Sequence, residues 1–213
     1  MKPYIGPQCA RCAKLSCTKA PGTEDPPAGC PMRESAETLA RVERLLREDE
    51  SLRELACNAA RTEAGGYCRM PRIEEICDFA RRSGVKRIGI ASCVGTQREA
   101  ALAQTIFEAQ GFQVCSAVCK VGAIAKEEVG LTDEEKIRPG GFEALCNPVA
   151  QARLLDEAGC GLAVLVGLCV GHDSLFFRHS RAPVTVLLAK DRVCGHNPAA
   201  ALYTSHSYYR RLK

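Results

Sequence analysis

Apolar residues recur at helical spacing in the first part of the chain that carries a clear pattern. Residues 65 and 66, both glycine, end this stretch, and a further helix is predicted from Pro71 to Arg82, because proline suits a first helical turn. The two stripes that predict the earlier helices are Leu39, Val42, Leu45 and Leu46, and then Leu52, Leu55, Ala56 and Ala59.

From residue 85 onward, short apolar runs alternate with helical patterns. The helices in this part are predicted from their start signals, and the last helix is expected to run towards Tyr209. These signals are a Thr96–Glu99 capping box, an Asn147-Pro148 start, an Asp173 or Ser174 cap and an Asn197-Pro198 start. Such alternation favours right-handed crossovers between parallel strands. We therefore predict an α/β fold with a small, mostly parallel, Rossmann-like sheet, whose strands cover residues 85–91, 112–118, 162–168 and 184–189.

The pattern divides the chain into three predicted parts. Residues 1–33 are rich in Cys, Pro and Gly, and this cysteine-rich segment has little apolar content with which to order itself. Residues 34–84 form a helical region that we expect to pack on the main domain, and residues 85–213 form the α/β domain.

Composition narrows the classes of function. The formal net charge is only +4, from 29 basic and 25 acidic residues, and there is no Trp, so neither a nucleic-acid partner nor a stacking platform is expected. Residues 1–5 show no apolar signal core, and no apolar run is long enough to cross a membrane, so we expect a cytoplasmic protein. In that compartment the 14 cysteines should be metal ligands, reactive thiols or packing residues rather than disulfides.

Four cysteines near the start have the spacing of a metal site. Cys9, Cys12, Cys17 and Cys30 follow a C-x2-C-x4-C-x12-C pattern, in which the close pair can grip an ion and the later two can complete a tetrahedron. The same spacing can hold a [4Fe–4S] cluster, and Pro31 after Cys30 resembles the end of bacterial ferredoxin motifs. Iron–sulfur and zinc both stay open.

Four further cysteines are scattered in sequence but related by topology. Cys93, Cys119 and Cys169 follow predicted strands, and Cys146 directly precedes the Asn147 helix start. The carboxyl ends of parallel strands and the starts of the following helices share one edge of a sheet, where ligands bind. The four thiols are therefore predicted to converge on one [4Fe–4S] cluster or one zinc ion. Cys194 follows the fourth strand and is either a fifth redox thiol or a packing residue.

Two histidines lie near the same predicted edge. His172 and His196 each follow a glycine after a strand, and they are candidates for ligation, proton transfer or substrate binding. Nearby basic residues and helix starts could bind a small anionic molecule, and a redox partner is an alternative. Among the other cysteines, Cys77 is expected in the core, Cys115 alternates within a strand, and Cys160 has no evident partner.

Several runs resemble an uncharacterised family of predicted bacterial and archaeal metal-binding proteins, a domain of unknown function. The resemblance covers nearly the whole chain and implies metal binding without naming a reaction. The matching stretches are Cys9–Met32, Cys146-Asn147-Pro148, residues 167–176, residues 182–185, residues 191–193 and residues 195–198.

Three functions remain open on the sequence alone. The leading one is an iron–sulfur or other metal-binding protein with redox or sulfur-handling chemistry at the cysteine-lined edge of the sheet. A zinc-dependent hydrolase, in which a bound ion activates water beside His172 or His196, is the second. The third is a carrier or sensor of metal or clusters that catalyses nothing.

Overall fold

The structure, a computed structural model, describes residues 6–213. Residues 1–5, where the sequence shows no apolar signal core, lie outside the described residues. The chain forms two compact units that divide between Ala60 and Arg61, within the region predicted to be helical. Along the described part of the chain, no helix is both long and apolar enough to span a membrane.

The first unit consists of turns followed by helices. Short 3-10 turns at Cys9–Arg11 and Ser16–Thr18 precede three helices. Among residues 6–34 only Ser16 is buried, so apolar packing contributes little order to this stretch. The helices are α1 (Pro31–Glu34), α2 (Ala36–Glu48) and α3 (Glu50–Gly66), and α3 continues into the second unit.

The second unit is built on a parallel sheet. The strand order is β2-β1-β3-β4, and each neighbouring pair runs parallel, which confirms the predicted α/β fold. The strands are β1 (Arg87–Ser92), β2 (Gln113–Val118), β3 (Leu162–Val166) and β4 (Val184–Leu188), each inside or within one residue of a predicted run. The helices are α4 (Arg72–Arg82), α5 (Gln97–Ala109), α6 (Pro148–Glu157), α7 (His172–His179) and α8 (Ala199–Tyr203).

Helices cover both faces of this sheet. On one face, residues of α4 and α5, including Phe107, pack against Ile88 and Ile90 of β1. On the other face, residues of α6 and α7, including Phe176, pack against β3. Strand β3 is buried along its whole length, as expected for a central parallel strand. The core therefore holds the sheet rigid and leaves its carboxyl edge free for loops.

Two local predictions need correction. Thr96 does precede α5, but its hydroxyl makes no capping bond; instead its oxygen lies 2.8 Å from the Val166 carbonyl and 3.1 Å from the Cys93 carbonyl. The last helix begins at Ala199, with no capping bond from the Asn197 side chain, and it ends at Tyr203 rather than continuing to Tyr209. The Thr204 hydroxyl donates to the Ala200 carbonyl at 2.7 Å, and such side-chain bonds to the backbone favour helix ends and turns.

The Asn147-Pro148 start is confirmed. The Asn147 side chain accepts a hydrogen bond from the Ala150 N–H at 2.9 Å, and Pro148 occupies the first helical position. This cap fixes where α6 begins, one residue after Cys146. Helix α7 begins at His172, earlier than the Asp173 or Ser174 cap predicts, and Asp173 accepts from the Gly171 and Ser174 N–H groups.

Candidate functional site

Loops at the carboxyl edge of the sheet are joined to one another by backbone hydrogen bonds. The Cys93 N–H donates to Val166 at the end of β3, and the Cys119 N–H donates to Ser92 at the end of β1. The Asn147 N–H then donates to the Cys119 carbonyl at 2.7 Å. This chain of bonds places the segments that carry Cys93, Cys119 and Cys146 side by side, although 53 positions separate the first from the last.

Three thiols, those of Cys93, Cys119 and Cys146, lie at this edge. Together with Cys169, we call them the rim cysteines. Cys119 lies in the middle: its Sγ is 3.8 Å from the Sγ of Cys146, and it packs in the same buried cluster as Cys93. Cys93 and Cys119 are 5% and 2% exposed. Cys169 is half-buried and its Sγ accepts a hydrogen bond from Arg192 Nη2 at 3.0 Å.

Each of the outer rim cysteines has a cationic neighbour. Lys190 lies near Cys93 and Lys120 lies near Cys146, so that each lowers the pKa of its neighbouring thiol, while Arg192 donates a hydrogen bond to Cys169. The Lys190 ammonium also lies over Gly95, where an added Cβ would be 2.7 Å from Nζ, so a larger residue there would displace the ammonium. The sequence pointed to basic residues near the predicted edge, but it gave no sign that Lys120 would lie beside Cys146.

These contacts separate the pKa values of the thiols. The hydrogen bond with Cys119 lowers the pKa of Cys93 and of Cys146, and the neighbouring lysines lower both further. Electrostatic interaction with the nearby His172 also lowers the pKa of Cys146. Conversely, the hydrogen bonds with Cys146 and Cys93, together with burial, raise the pKa of Cys119. The arrangement therefore favours two thiolates on either side of one protonated thiol.

The two predicted histidines occupy different environments. His172 opens α7, where its N–H donates to the Cys169 carbonyl at 3.0 Å, and it lies near enough to Cys146 to lower the pKa of that thiol. His196 has a left-handed backbone with φ of 64°, and its Nδ1 accepts from the Asp191 N–H at 3.1 Å. His172 is therefore part of the rim, whereas the His196 ring helps to close the loop that follows β4.

Cys194 lies in that same loop. Its N–H donates to the Asp191 carboxylate at 2.8 Å, and its Sγ lies 3.5 Å from the Tyr209 hydroxyl. The thiol therefore joins the loop to the C-terminal turns.

A buried amide supports the rim from below. Gln151 of α6 is fully buried, and its Nε2 donates to the carbonyls of Ser92 and Ala117 at 3.0 and 2.7 Å. Its Oε1 has no hydrogen-bond partner among the described residues. Sequence reasoning missed this residue, although a glutamine between alanines on the inner face of an apolar helix was a visible signal.

The N-terminal cysteines are arranged more loosely. Cys9, Cys12 and Cys30 line one cavity of about 340 Å³, whereas Cys17 is not among its lining residues. The Leu15 N–H donates to the Cys12 sulfur at 3.4 Å, and the Cys12 N–H donates to the Cys9 carbonyl at 3.0 Å. Amide-to-sulfur bonds of this kind support a thiolate ligand. Three of the four predicted ligands thus share one cavity, and the four-ligand site stays a prediction.

Neither set of cysteines has the finished geometry of a metal site. Within residues 6–213, no group of three or more His, Cys, Asp or Glu side chains is placed so as to hold a metal ion. The 14 cysteines, all of which fall in this range, are free thiols in the structure. The donor chemistry at the rim is nevertheless that of a thiolate site, with cationic groups around it.

The fold and the edge define an α/β protein with a thiol-lined site on a parallel sheet. The chain belongs to DUF1847, a family described as a protein of unknown function, which matches residues 30–187 and so includes the rim cysteines. The chain is also 42% identical over 166 residues to "Uncharacterized protein MJ0455" of Methanocaldococcus jannaschii. That match covers 78% of this chain and 83% of the relative.

Proposed function

We propose that this is a metal-binding protein whose rim cysteines hold a metal ion or an iron–sulfur cluster for redox or sulfur-handling chemistry. The observation that carries the proposal is the meeting of Cys93, Cys119 and Cys146 at the carboxyl edge, from three separate segments of the chain. Ligands of parallel α/β proteins bind at this edge. Packing alone does not explain why the thiols should also have cationic partners.

The sulfur spacing suits a shared ligand. In a tetrahedral zinc site with Zn–S bonds of about 2.3 Å, neighbouring sulfurs lie about 3.8 Å apart, which is the separation of Cys119 and Cys146. A [4Fe–4S] cluster binds one thiolate at each iron and holds them further apart, so it would require the rim to open. Either group would need Cys169 to turn from Arg192 towards the other three sulfurs.

The surrounding charges also suit a thiolate centre. Four thiolates bound to a divalent ion keep a net negative charge, which Lys120, Lys190 and Arg192 would offset. His172, beside Cys146, is positioned to donate a proton to a small anion at this edge. The bound group would supply Lewis acidity or electron transfer. These side chains would bind and orient the small anion and neutralise the negative charge of the thiolates.

A second candidate is thiol chemistry without a metal. It is favoured by the lowered pKa of Cys93 next to the protonated Cys119, because a thiolate beside a thiol is the arrangement of dithiol redox sites. In that case Cys93 or Cys146 would be the nucleophile for a sulfur-containing substrate. The two candidates differ in the expected metal content, because only the first requires that the purified protein retain a metal at the rim cysteines.

Metal and acid-labile sulfide analysis of anaerobically purified protein, with an absorption spectrum, tests the proposal. Replacing Cys119 with Ala should remove one metal ion or one cluster per chain, because the central sulfur is lost. The matched control is Cys57→Ala, which removes an exposed thiol of α3. Equal metal content in the two variants would exclude a metal at the rim and leave the metal-free candidate.

A further inference from the structure

A second pair of cysteines lies below the rim, on the same side of the sheet. Cys115 of β2 is in register with Gly89 of β1. Cys160, which follows α6, reaches over β1 at that point: a Cβ on Gly89 would lie 3.1 Å from the Cys160 Sγ and 3.2 Å from its Cβ. Since paired residues of parallel strands face the same side, the Cys115 and Cys160 side chains meet above Gly89.

The two thiols lie in the same packed cluster, and they differ in access. Cys160 is buried, at 7% exposure, and burial together with the nearby Cys115 raises its pKa to about 12. Cys115 is half-buried and lines an open cavity of about 490 Å³ beside the edge strand β2. Leu154, Leu155 and Ala158 of α6 form the opposite wall of this cavity. A small reagent can therefore approach Cys115 and not Cys160.

We propose that Cys115 and Cys160 form a reversible disulfide that exchanges with a low-molecular-weight disulfide bound in this cavity. Two thiols in contact, one open to solvent and one enclosed, provide the attacking and the resolving sulfur of such an exchange. The absence of a side chain at Gly89 leaves the space in which the two sulfurs can come together. This site is separate from the rim cysteines and does not rest on metal binding there.

The reaction is thiol–disulfide exchange in two steps. The Cys115 sulfur attacks the small disulfide, which forms a mixed disulfide and releases one small thiol. The Cys160 sulfur then attacks the Cys115 sulfur and displaces the second small thiol, which takes the proton that Cys160 loses. Overall, the two protein thiols are oxidised to one disulfide and the small disulfide is reduced to two thiols.

Glutathione disulfide, added to the reduced full-length protein without oxygen, tests the proposal by peptide mass mapping. Trypsin releases Cys115 together with Cys119 in residues 99–120, and Cys160 together with Cys169 in residues 154–178. The experiment is therefore run in a Cys119→Ser, Cys169→Ser background, where each peptide keeps one cysteine, and wild type is mapped in parallel by fragmentation. A cross-link between the two peptides, lost on adding excess reduced glutathione, is the expected result.

Trapping of the mixed disulfide distinguishes the attacking thiol, Cys115, from the resolving thiol, Cys160. Cys160→Ser should accumulate a glutathione adduct on Cys115, roughly tenfold above the level in the parent protein, because the resolving thiol is missing. Cys77→Ser is the matched control, since Cys77 is a buried thiol of α4 in the core on the other face, and it should not change the cross-link. A stable adduct on Cys115 in the parent, or no cross-link while other cysteines oxidise, would overturn the proposal whatever the metal content of the rim.

Discussion

The two cysteine sets are brought together in opposite ways. Cys9, Cys12 and Cys30 are close in sequence and lie in a stretch where only Ser16 is buried. The rim cysteines are far apart in sequence, but strands, an Asn-capped helix and backbone hydrogen bonds bring three of them together. The comparison teaches that the fold itself assembles the second set, whereas apolar burial contributes little to holding the first.

The largest expected effect tests this difference in the N-terminal segment. Replacing Cys12 with Ser should remove its metal and abolish amide protection over residues 9–30, because little apolar burial remains to hold them. Residues 87–188 should keep their protection. Hydrogen exchange followed by mass spectrometry measures both, with Cys57→Ser as the control. Equal protection of residues 9–30 in the two variants would mean that the segment is ordered without a metal.

Stability of the rim should instead depend on buried protein contacts. Thr96 is fully buried, and Thr96→Val should lower the free energy of unfolding by about 1–3 kcal/mol, because the Val166 carbonyl loses its hydroxyl partner. Chemical denaturation of the metal-free protein gives the value. Thr105→Val is the matched control, since that hydroxyl lies on the exposed side of α5. A difference below about 0.5 kcal/mol would show that the Thr96 contact does not support the rim.

Removing a cationic neighbour of the rim cysteines should have a smaller effect, which is a loss of metal affinity. Arg192→Ala should weaken binding by about tenfold, because a group that bonds to a ligand sulfur supports the ligand. Competition with a chelator of known affinity measures the change. Arg178→Ala, which removes an exposed charge of α7, should leave affinity unaltered. If both variants bind as wild type does, Arg192 has no role in metal binding.

The smallest expected change is that of the alkylation rate of Cys93 with pH. Since its hydrogen bond with Cys119 lowers the pKa of Cys93, the thiolate persists as pH falls below the ordinary range for cysteine. In reduced, metal-free protein, its reaction with iodoacetamide should change little between about pH 8 and about pH 6, whereas that of N-acetylcysteine should fall roughly a hundredfold. A parallel fall for Cys93, measured by peptide mapping, would contradict the assigned environment.

The sequence predicted the fold well because its elements are set by local patterns. Apolar runs, the Asn147 cap and Gly65-Gly66 define elements without any long-range information, and the parallel topology then brings strand ends to one edge. Thr96 shows the limit of such reasoning. Its position before α5 follows from the pattern, but its hydroxyl bonds to Val166, a partner 70 residues away that no local rule identifies.

Only the part of the site that follows from the sheet topology could be predicted from the sequence. Strand ends identify which cysteines lie at the edge, but loop conformation decides which way each side chain turns. Three contacts depend on such conformations: Lys120 lies beside Cys146, His196 bonds within its own loop, and Cys160 lies next to Cys115. Charge and thiol content are visible in the sequence, whereas the pairs that they form are not.

The central claim is that the rim thiolates bind a metal, and X-ray absorption at the metal edge tests it most directly. The measurement is made on a Cys9→Ser, Cys12→Ser variant, which removes the N-terminal site and leaves the rim as the remaining proposed metal site. We expect a first shell of about four sulfurs near 2.3 Å, with metal–metal scattering only if the group is a cluster. A shell of nitrogen and oxygen alone, or a variant that retains no metal, would contradict the claim.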